Sequence, residues 1–174
     1  MNEVIRCLKE RRSCRKYLPK QVEEQTLQEI LAAGIYAPSG RGRQAAKILV
    51  LQNQEDIAAL EQLNAKILGT PGAHPFFGAP TVCIVLADPA VHTCVEDGAL
   101  VMGNLMNAAH SLGVASCWIH RAREEFESPE GKALLKKWGV AGDWRGIGHC
   151  LLGYADGESR PAAPRKEDYI CRIR

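Results

Sequence analysis

The segment TVCIVLAD (81–88) carries six consecutive apolar residues, Val82 to Ala87, with no alternation of polar and apolar positions. Neighbouring side chains on a strand point to opposite faces, so a strand this uniformly apolar has to be covered on both sides. Any fold built on it must supply a covering layer for each face. Three more short apolar runs, KILVLQN (47–53), VASCWIH (114–120) and GIGHCLLGY (146–154), are short enough for strands and are the candidates to pair with it.

Helical spacing fills the intervals. Val4, Ile5 and Leu8 predict a short amphipathic helix that runs into a cluster of cations. Beyond Pro19, residues Leu27, Ile30, Leu31, Gly34 and Ile35 follow the i, i+3, i+4, i+7, i+8 pattern of one helix face, closed by Pro38. Ile57, Leu60, Asn64, Ile67 and Leu68 predict a helix ending at Gly69, ahead of the turn-rich GTPGAHPFFGAP (69–80). Residues 91–112 predict a long helix with Val101, Leu105, Ala108, Ala109 and Leu112 on one face. Its small residues, among them Gly98 and Gly103, permit close approach and mark it as the central helix. A short helix is expected around Ala133 to Trp138, and the residues after 154 read as a tail with a basic centre. Helix and strand alternate, an order that does not by itself fix a parallel sheet. With 174 residues, 46% of them hydrophobic, no repeats and no visible second unit, the chain is read as a single domain over 1–174.

The net charge is only +2, yet it is unevenly spread. Residues 1–20 carry +5, residues 41–47 carry +3 and residues 160–174 carry +3, so the rest of the chain carries −9. A chain coated with base, as nucleic-acid binders commonly are, is thereby excluded, and no nucleic-acid partner is expected. Local cationic segments at both ends and in one loop point instead to one small anion reached by folding. No apolar run approaches the ~18 residues of a membrane span, and the first twenty residues lack the apolar centre of a signal peptide. The reading is cytoplasmic, with no membrane partner. Seven cysteines, an odd number with several in apolar runs, are read as reduced thiols.

RRSCRKY (11–17) packs four cations around Ser13 and Cys14. As a phosphate site, Arg11 and Arg12 would fork onto the oxygens and Ser13 would add a hydroxyl donor; the plain alternative is a solvated charged face at a helix end. The loop APSGRGRQAA (37–46) contains G-R-G-R-Q-A, which formally fits the dinucleotide fingerprint, but here the helix precedes the loop and the strand follows it, the reverse of what that fingerprint requires. Gly40 and Gly42 still let backbone N–H groups approach a ligand, and Ser39 and Gln44 offer side-chain hydrogen bonds; an ordinary helix-to-strand connection fits the composition equally well. Cys117-x-x-His120, His92-x-Cys94 and His149-Cys150 are the only pairs suggesting a metal, and with no C-x-x-C the expectation is that none is bound. Cysteines in apolar runs are expected to be inert, with Cys14 beside Arg12 and Arg15 the exception.

Taken in order, RRSCRKY, APSGRGRQ, DGALVMGNLMNAAHSLGVASCWIH, and GIGHCLLGYADG followed by a basic PRK resemble the FMN-dependent nitroreductase family across nearly the whole chain. The resemblance implies an α+β fold with a mostly antiparallel central sheet flanked by helices, and an obligate homodimer with FMN at the subunit interface. It implies that Arg11 and Ser13 hold the FMN phosphate and ribityl chain with Arg12 beside them, and that Arg165 and Lys166 close on the phosphate. Arg15 matches the cation near the pyrimidine edge, where positive charge stabilises a reduced, anionic ring. Pro38, Ser39, Gly40 and Gln44 match the loop that reaches the flavin from the partner subunit. Trp118, Ile119, His120 and Arg121 match the strand end whose backbone approaches N5, with His120 and Arg121 as candidates for positioning an acceptor. Gly42 stands where the family usually has Asn, and Ala45 and Ala46 where it has Pro and a large aromatic, which implies a roomier neighbourhood.

The activity so implied is reduction of a small-molecule nitro, quinone or related acceptor by NADH or NADPH through FMN. Alternatives are a specialised reductive dehalogenase or dehydrogenase of the same family, a polyanion-binding module built on the arginine clusters, and a redox-sensing or metal-binding thiol protein.

Overall fold

The computed structural model describes residues 1–174, and at its centre the uniformly apolar run forms β2 (Thr81–Ala87), every residue of which is buried. It lies between β1 (Ala46–Leu51) and β4 (Arg145–Gly153), and β3 (Ala115–Ile119) pairs outside β4. All three pairings are antiparallel, as the family resemblance implied.

Both faces of β2 are covered. Cys83, Val85 and Ala87 enter a core shared with Leu27 and Ile30 of α2 (Glu24–Ile35) and with Met102 and Leu105 of α4 (Cys94–Ser111). Val82, Ile84 and Leu86 enter a second core with Leu60 of α3 (Gln54–Leu68), Phe126 of α5 (Ala122–Glu127) and Leu135 of α6 (Pro129–Lys137). Helix layers therefore sandwich the sheet. The small residues of α4 act as predicted: a Cβ on Gly98 would stand 2.5 Å from Ile147 Cγ1, so its absence lets α4 settle onto β4.

Three local features depart from the sequence reading. In β4, Ile147 is an extra residue, because Val85 pairs with Gly148 and Leu86 with Gly146. This bulge puts Ile147 into the α2/α4 core together with Cys150 and Leu152, while His149 packs against Phe76 and Phe126 on the opposite side. Residues 122–137 form two helices where one short helix around Ala133 to Trp138 was expected. Ser128 is extended between them, and its hydroxyl accepts from the Gly131 N–H while Pro129 opens α6. Finally, α1 (Glu3–Glu10) forms where its spacing predicted, but it buries none of its residues, and Val4, Ile5 and Leu8 lie exposed on it. No helix is long and apolar enough to cross a membrane.

Candidate functional site

Beyond α1 the cationic segment runs along the edge of the sheet. Ser13 bridges Ser116 of β3, and the Cys14 N–H donates to the Ser116 carbonyl at 2.9 Å. Four residues later the Leu18 N–H donates to the Tyr154 carbonyl at 2.8 Å, just past β4. Lys16 is occupied by Asp156, 2.7 Å away. Residues 13–18 are thus held as an edge piece, and the side chains of Arg12, Ser13 and Arg15 are delivered to one surface.

Two clefts meet there. One, of about 500 Å³, is lined by Arg12, Ser13 and Arg15 on one side and by Gly157, Ser159 and Arg160 on the other. The second, of about 310 Å³, lies at the end of β3 and is lined by Arg15, His74, Phe77, Trp118, Ile119 and Arg121 among others. Arg15 borders both, standing between a polar cleft, in which Asp156 and Glu158 also take part, and one with aromatic walls.

Arg12, which lines the first cleft, and its neighbour Arg11, which lines neither, both carry donors without partners. Arg11 Nη1 and Arg12 Nε are buried and have no hydrogen-bond partner, while Arg12 Nη1 turns back to the carbonyls of Lys9 and Arg11, both at 2.7 Å. A buried donor left unpaired costs about 1–3 kcal/mol, more when it is charged. A phosphate, with several strong acceptor oxygens, is the group whose chemistry removes that cost at two adjacent guanidinium groups.

The remaining residues singled out in the sequence fall in two groups. Trp118, Ile119 and Arg121 line the second cleft, and His120 is exposed beside them with its carbonyl accepting from Asn64 Nδ2 at 3.0 Å. Pro38, Ser39, Gly40 and Gln44 border neither cleft, and nor do Arg165 and Lys166, which are exposed in the tail. The loop 38–44 is nevertheless well built. The Gly40 N–H donates to Asp97 Oδ1 at 2.9 Å, the Gln44 N–H donates to Ser39 Oγ at 3.0 Å, and a Cβ on Gly40 would stand 2.2 Å from Thr93 Oγ1. Asp97 was missed in the sequence; its signal is an acid near the start of a largely apolar helix. Ala45 and Ala46 line a separate open groove of about 590 Å³ with Trp144 and Ile48.

Burial pushes the Cys117 thiol up, opposed in part by the charge of Arg15 and a hydrogen bond from Ser13. Burial alone pushes Cys83 up to about 12, and Cys150 is raised for the same reason. These thiols stay protonated and unreactive at neutral pH. Cys14 is only partly buried, and its Sγ lies 3.1 Å from the Lys16 carbonyl. No group of three or more His, Cys, Asp and Glu side chains is placed to hold a metal ion.

The family model described as the nitroreductase family matches residues 8–154. The chain belongs to the nitroreductase family. Among its relatives is a Methanothermobacter thermautotrophicus protein named for NADH dehydrogenase or NAD(P)H nitroreductase activity. The two are 31% identical over 124 residues, which cover 67% of this chain and 60% of that protein's length. Two crystal structures of nitroreductases with bound FMN superpose over all of both chains. That from Bacteroides fragilis is 29% identical with a TM-score of 0.92, and that from Desulfitobacterium hafniense is 28% identical with a TM-score of 0.90.

Proposed function

We propose that this chain is an FMN-dependent oxidoreductase that uses NADH or NADPH to reduce a small nitro, quinone or related acceptor, as a cytoplasmic homodimer with FMN at the subunit interface and one FMN-binding domain spanning 1–174. The observation that carries the reading is the pair of buried, unpartnered guanidinium nitrogens on the adjacent Arg11 and Arg12, the second of which lines a cleft that shares Arg15 with an aromatic-walled one. FMN supplies reversible hydride acceptance at its ring. The chain does the rest.

Arg11, Arg12 and Ser13 would hold the phosphate, and Arg15, between the clefts, would set a fixed positive charge at the pyrimidine edge. Trp118 to Arg121 would present the end of β3 to the ring, with His120 and Arg121 orienting the acceptor. The loop with Pro38, Ser39, Gly40 and Gln44 borders neither cleft of its own chain, so it is the segment that a second copy would bring. Arg165 and Lys166, on an exposed tail, would close over the phosphate once the dimer forms. FMN-bound relatives that superpose over the full chain support the flavin reading.

The test is direct titration of purified protein with FMN, followed by absorbance and fluorescence. Wild type is expected to take up one FMN per chain and turn yellow, and Arg11→Ala to bind it 10- to 100-fold more weakly with an unchanged fold, as loss of a charge-assisted hydrogen bond predicts. Wild-type protein that stays colourless in excess FMN would sink the reading. Steady-state assays with nitroaromatic and quinone acceptors then test the acceptor class.

A further inference from the structure

Three fully buried polar side chains form a chain that ends at the aromatic-walled cleft. Asn64 of α3, Glu125 of α5 and His149 of β4 are each 0% exposed. His149 Nε2 lies 2.5 Å from Glu125 Oε2, and Asn64 Nδ2 donates to Glu125 Oε1 at 2.5 Å. The same Nδ2 donates to the His120 carbonyl at 3.0 Å, and Asn64 Oδ1 accepts from Arg121 Nε at 3.1 Å. An arginine can only donate and a carbonyl can only accept, so these partners fix which end of the Asn64 amide is which. Glu125, accepting from Asn64 on one oxygen, faces the imidazole with the other. A proton on Nε2 completes that pair, and Nδ1 has no partner.

The seat for this chain is built into the backbone. A Cβ on Gly146 would stand 2.0 Å from the Ala122 carbonyl, and one on Gly131 would stand 1.9 Å from the Glu125 carbonyl. Two glycines therefore let β4 and α6 close onto α5 and press Glu125 against His149. Phe76 and Phe126 pack their rings 5.3 and 6.3 Å from the imidazole. Buried polar groups of this kind add little to stability over well-packed apolar ones, which directs attention to what they reach. They reach Arg121, whose φ of +79° is left-handed, a conformation disfavoured for any residue with a Cβ. Arg121 also stands at the head of α5 with no side-chain cap of its own.

We propose that Asn64, Glu125 and His149 are a positioning relay that holds the His120–Arg121 turn in its left-handed form, so that the end of β3 meets the flavin ring with fixed donors and charge. The inference rests on the flavin reading above. None of the three residues lines the cleft; they act through Arg121. A turn so fixed favours the reduced ring, because donors already aligned need not reorganise as charge develops. Releasing it lowers the flavin potential and slows hydride uptake, while the phosphate end, held by Arg11 to Ser13, is untouched.

The experiment uses FMN-loaded protein: wild type, Glu125→Gln, Asn64→Ala, Arg121→Gly, and the Asn64→Ala/Arg121→Gly double variant. It compares circular dichroism, FMN affinity, the visible spectrum and the midpoint potential by equilibration with a redox dye. Glu125→Gln and Asn64→Ala are expected to bind FMN within about threefold of wild type. Their reduced-to-oxidised ratio at fixed dye potential should fall about tenfold, or about 30 mV for a two-electron couple. Glycine adopts the left-handed turn without strain, so in the Arg121→Gly background the Asn64→Ala shift should shrink to less than half. Asn64→Ala retains the Glu125–His149 pair and serves if Glu125→Gln does not fold. Wild-type spectra and potentials in both variants, a full-sized shift in the Arg121→Gly background, or loss of folding in both single variants overturns the relay. Wild-type protein that takes up no FMN overturns instead the flavin reading on which it stands.

Discussion

Arg11 and Arg12 are neighbours in sequence with different local duties, and their alanine variants should separate along that line. Arg11 Nη1 is buried and unpartnered, so in the absence of a ligand the group stabilises nothing that water would not. Arg12 also carries an unpartnered Nε, but its Nη1 caps the carbonyls of Lys9 and Arg11 at the end of α1. FMN-free Arg11→Ala is therefore expected to melt at or slightly above wild type, and FMN-free Arg12→Ala to lose about 0.5–1.5 kcal/mol; urea melts of both distinguish them. The cation cluster was legible in the sequence as a local excess of charge, but its division of labour was not, since Arg12 caps α1 and Lys16 pairs with Asp156 only in the folded chain. Asp97 was not legible, since nothing in its neighbours announces that an acid on an apolar helix will receive the N–H of Gly40, 57 residues earlier in the chain. Asn64 stands between the two cases. Helical spacing put it on the apolar face of α3, but only the fold brings Glu125, His120 and Arg121 to it.

Elements were easiest to read where one constraint dominates. The unbroken apolar run of β2 demands burial on both faces and receives it, and α3 ends at Gly69 as its spacing predicted, while its start at Asn53 was read as the end of a strand. The Asn53 side chain accepts from the N–H groups of Glu55 at 2.9 Å and Asp56 at 3.2 Å, so Asn53→Ala should cost about 1 kcal/mol in a chemical melt. The β4 bulge was hidden because it is set by close approach rather than by local preference. Gly146 yields to the Ala122 carbonyl and Gly148 to the Trp118 ring, and Ile147 is turned toward α4 between them. Filling the matching gap tests that account: Gly98→Val would drive a branched side chain into Ile147 and should destabilise by about 1–3 kcal/mol, measured by thermal melting. The break at Ser128–Pro129 was readable as a helix start, yet the apolar spacing further on drew the boundary too late.

At the scale of the molecule, the buried core makes stability fall in alkali. The Cys83 thiol ordinarily ionises near 9 but is pushed up to about 12 by burial, and Cys150 and Tyr17 move in the same direction. Above pH 9 the unfolded chain releases these protons while the folded chain keeps them, so unfolding is favoured as pH rises. The contribution is whole below 9 and is lost progressively toward 12, by about 1.4 kcal/mol per pH unit for each such thiol. Urea midpoints from pH 7 to 10.5 should fall, and less steeply in Cys83→Ala. Under the proposed function, one chain alone does not complete the flavin site. The loop 38–44 and the tail residues Arg165 and Lys166 border neither cleft, and α1 leaves Val4 and Ile5 more than half exposed, at 66% and 51%, with Leu100 and Val95 of α4 also uncovered. Water-facing apolar side chains on two helices are what a second copy would cover while bringing its own loop to the proposed site. Ile5→Asp with Leu8→Asp adds charge to that face and, since α1 buries nothing in its own chain, leaves the core intact. Sedimentation should find wild type as a dimer and the double variant as a folded monomer that no longer retains FMN. A monomer that keeps full FMN affinity would place the whole flavin site within one chain and remove the partner loop from it.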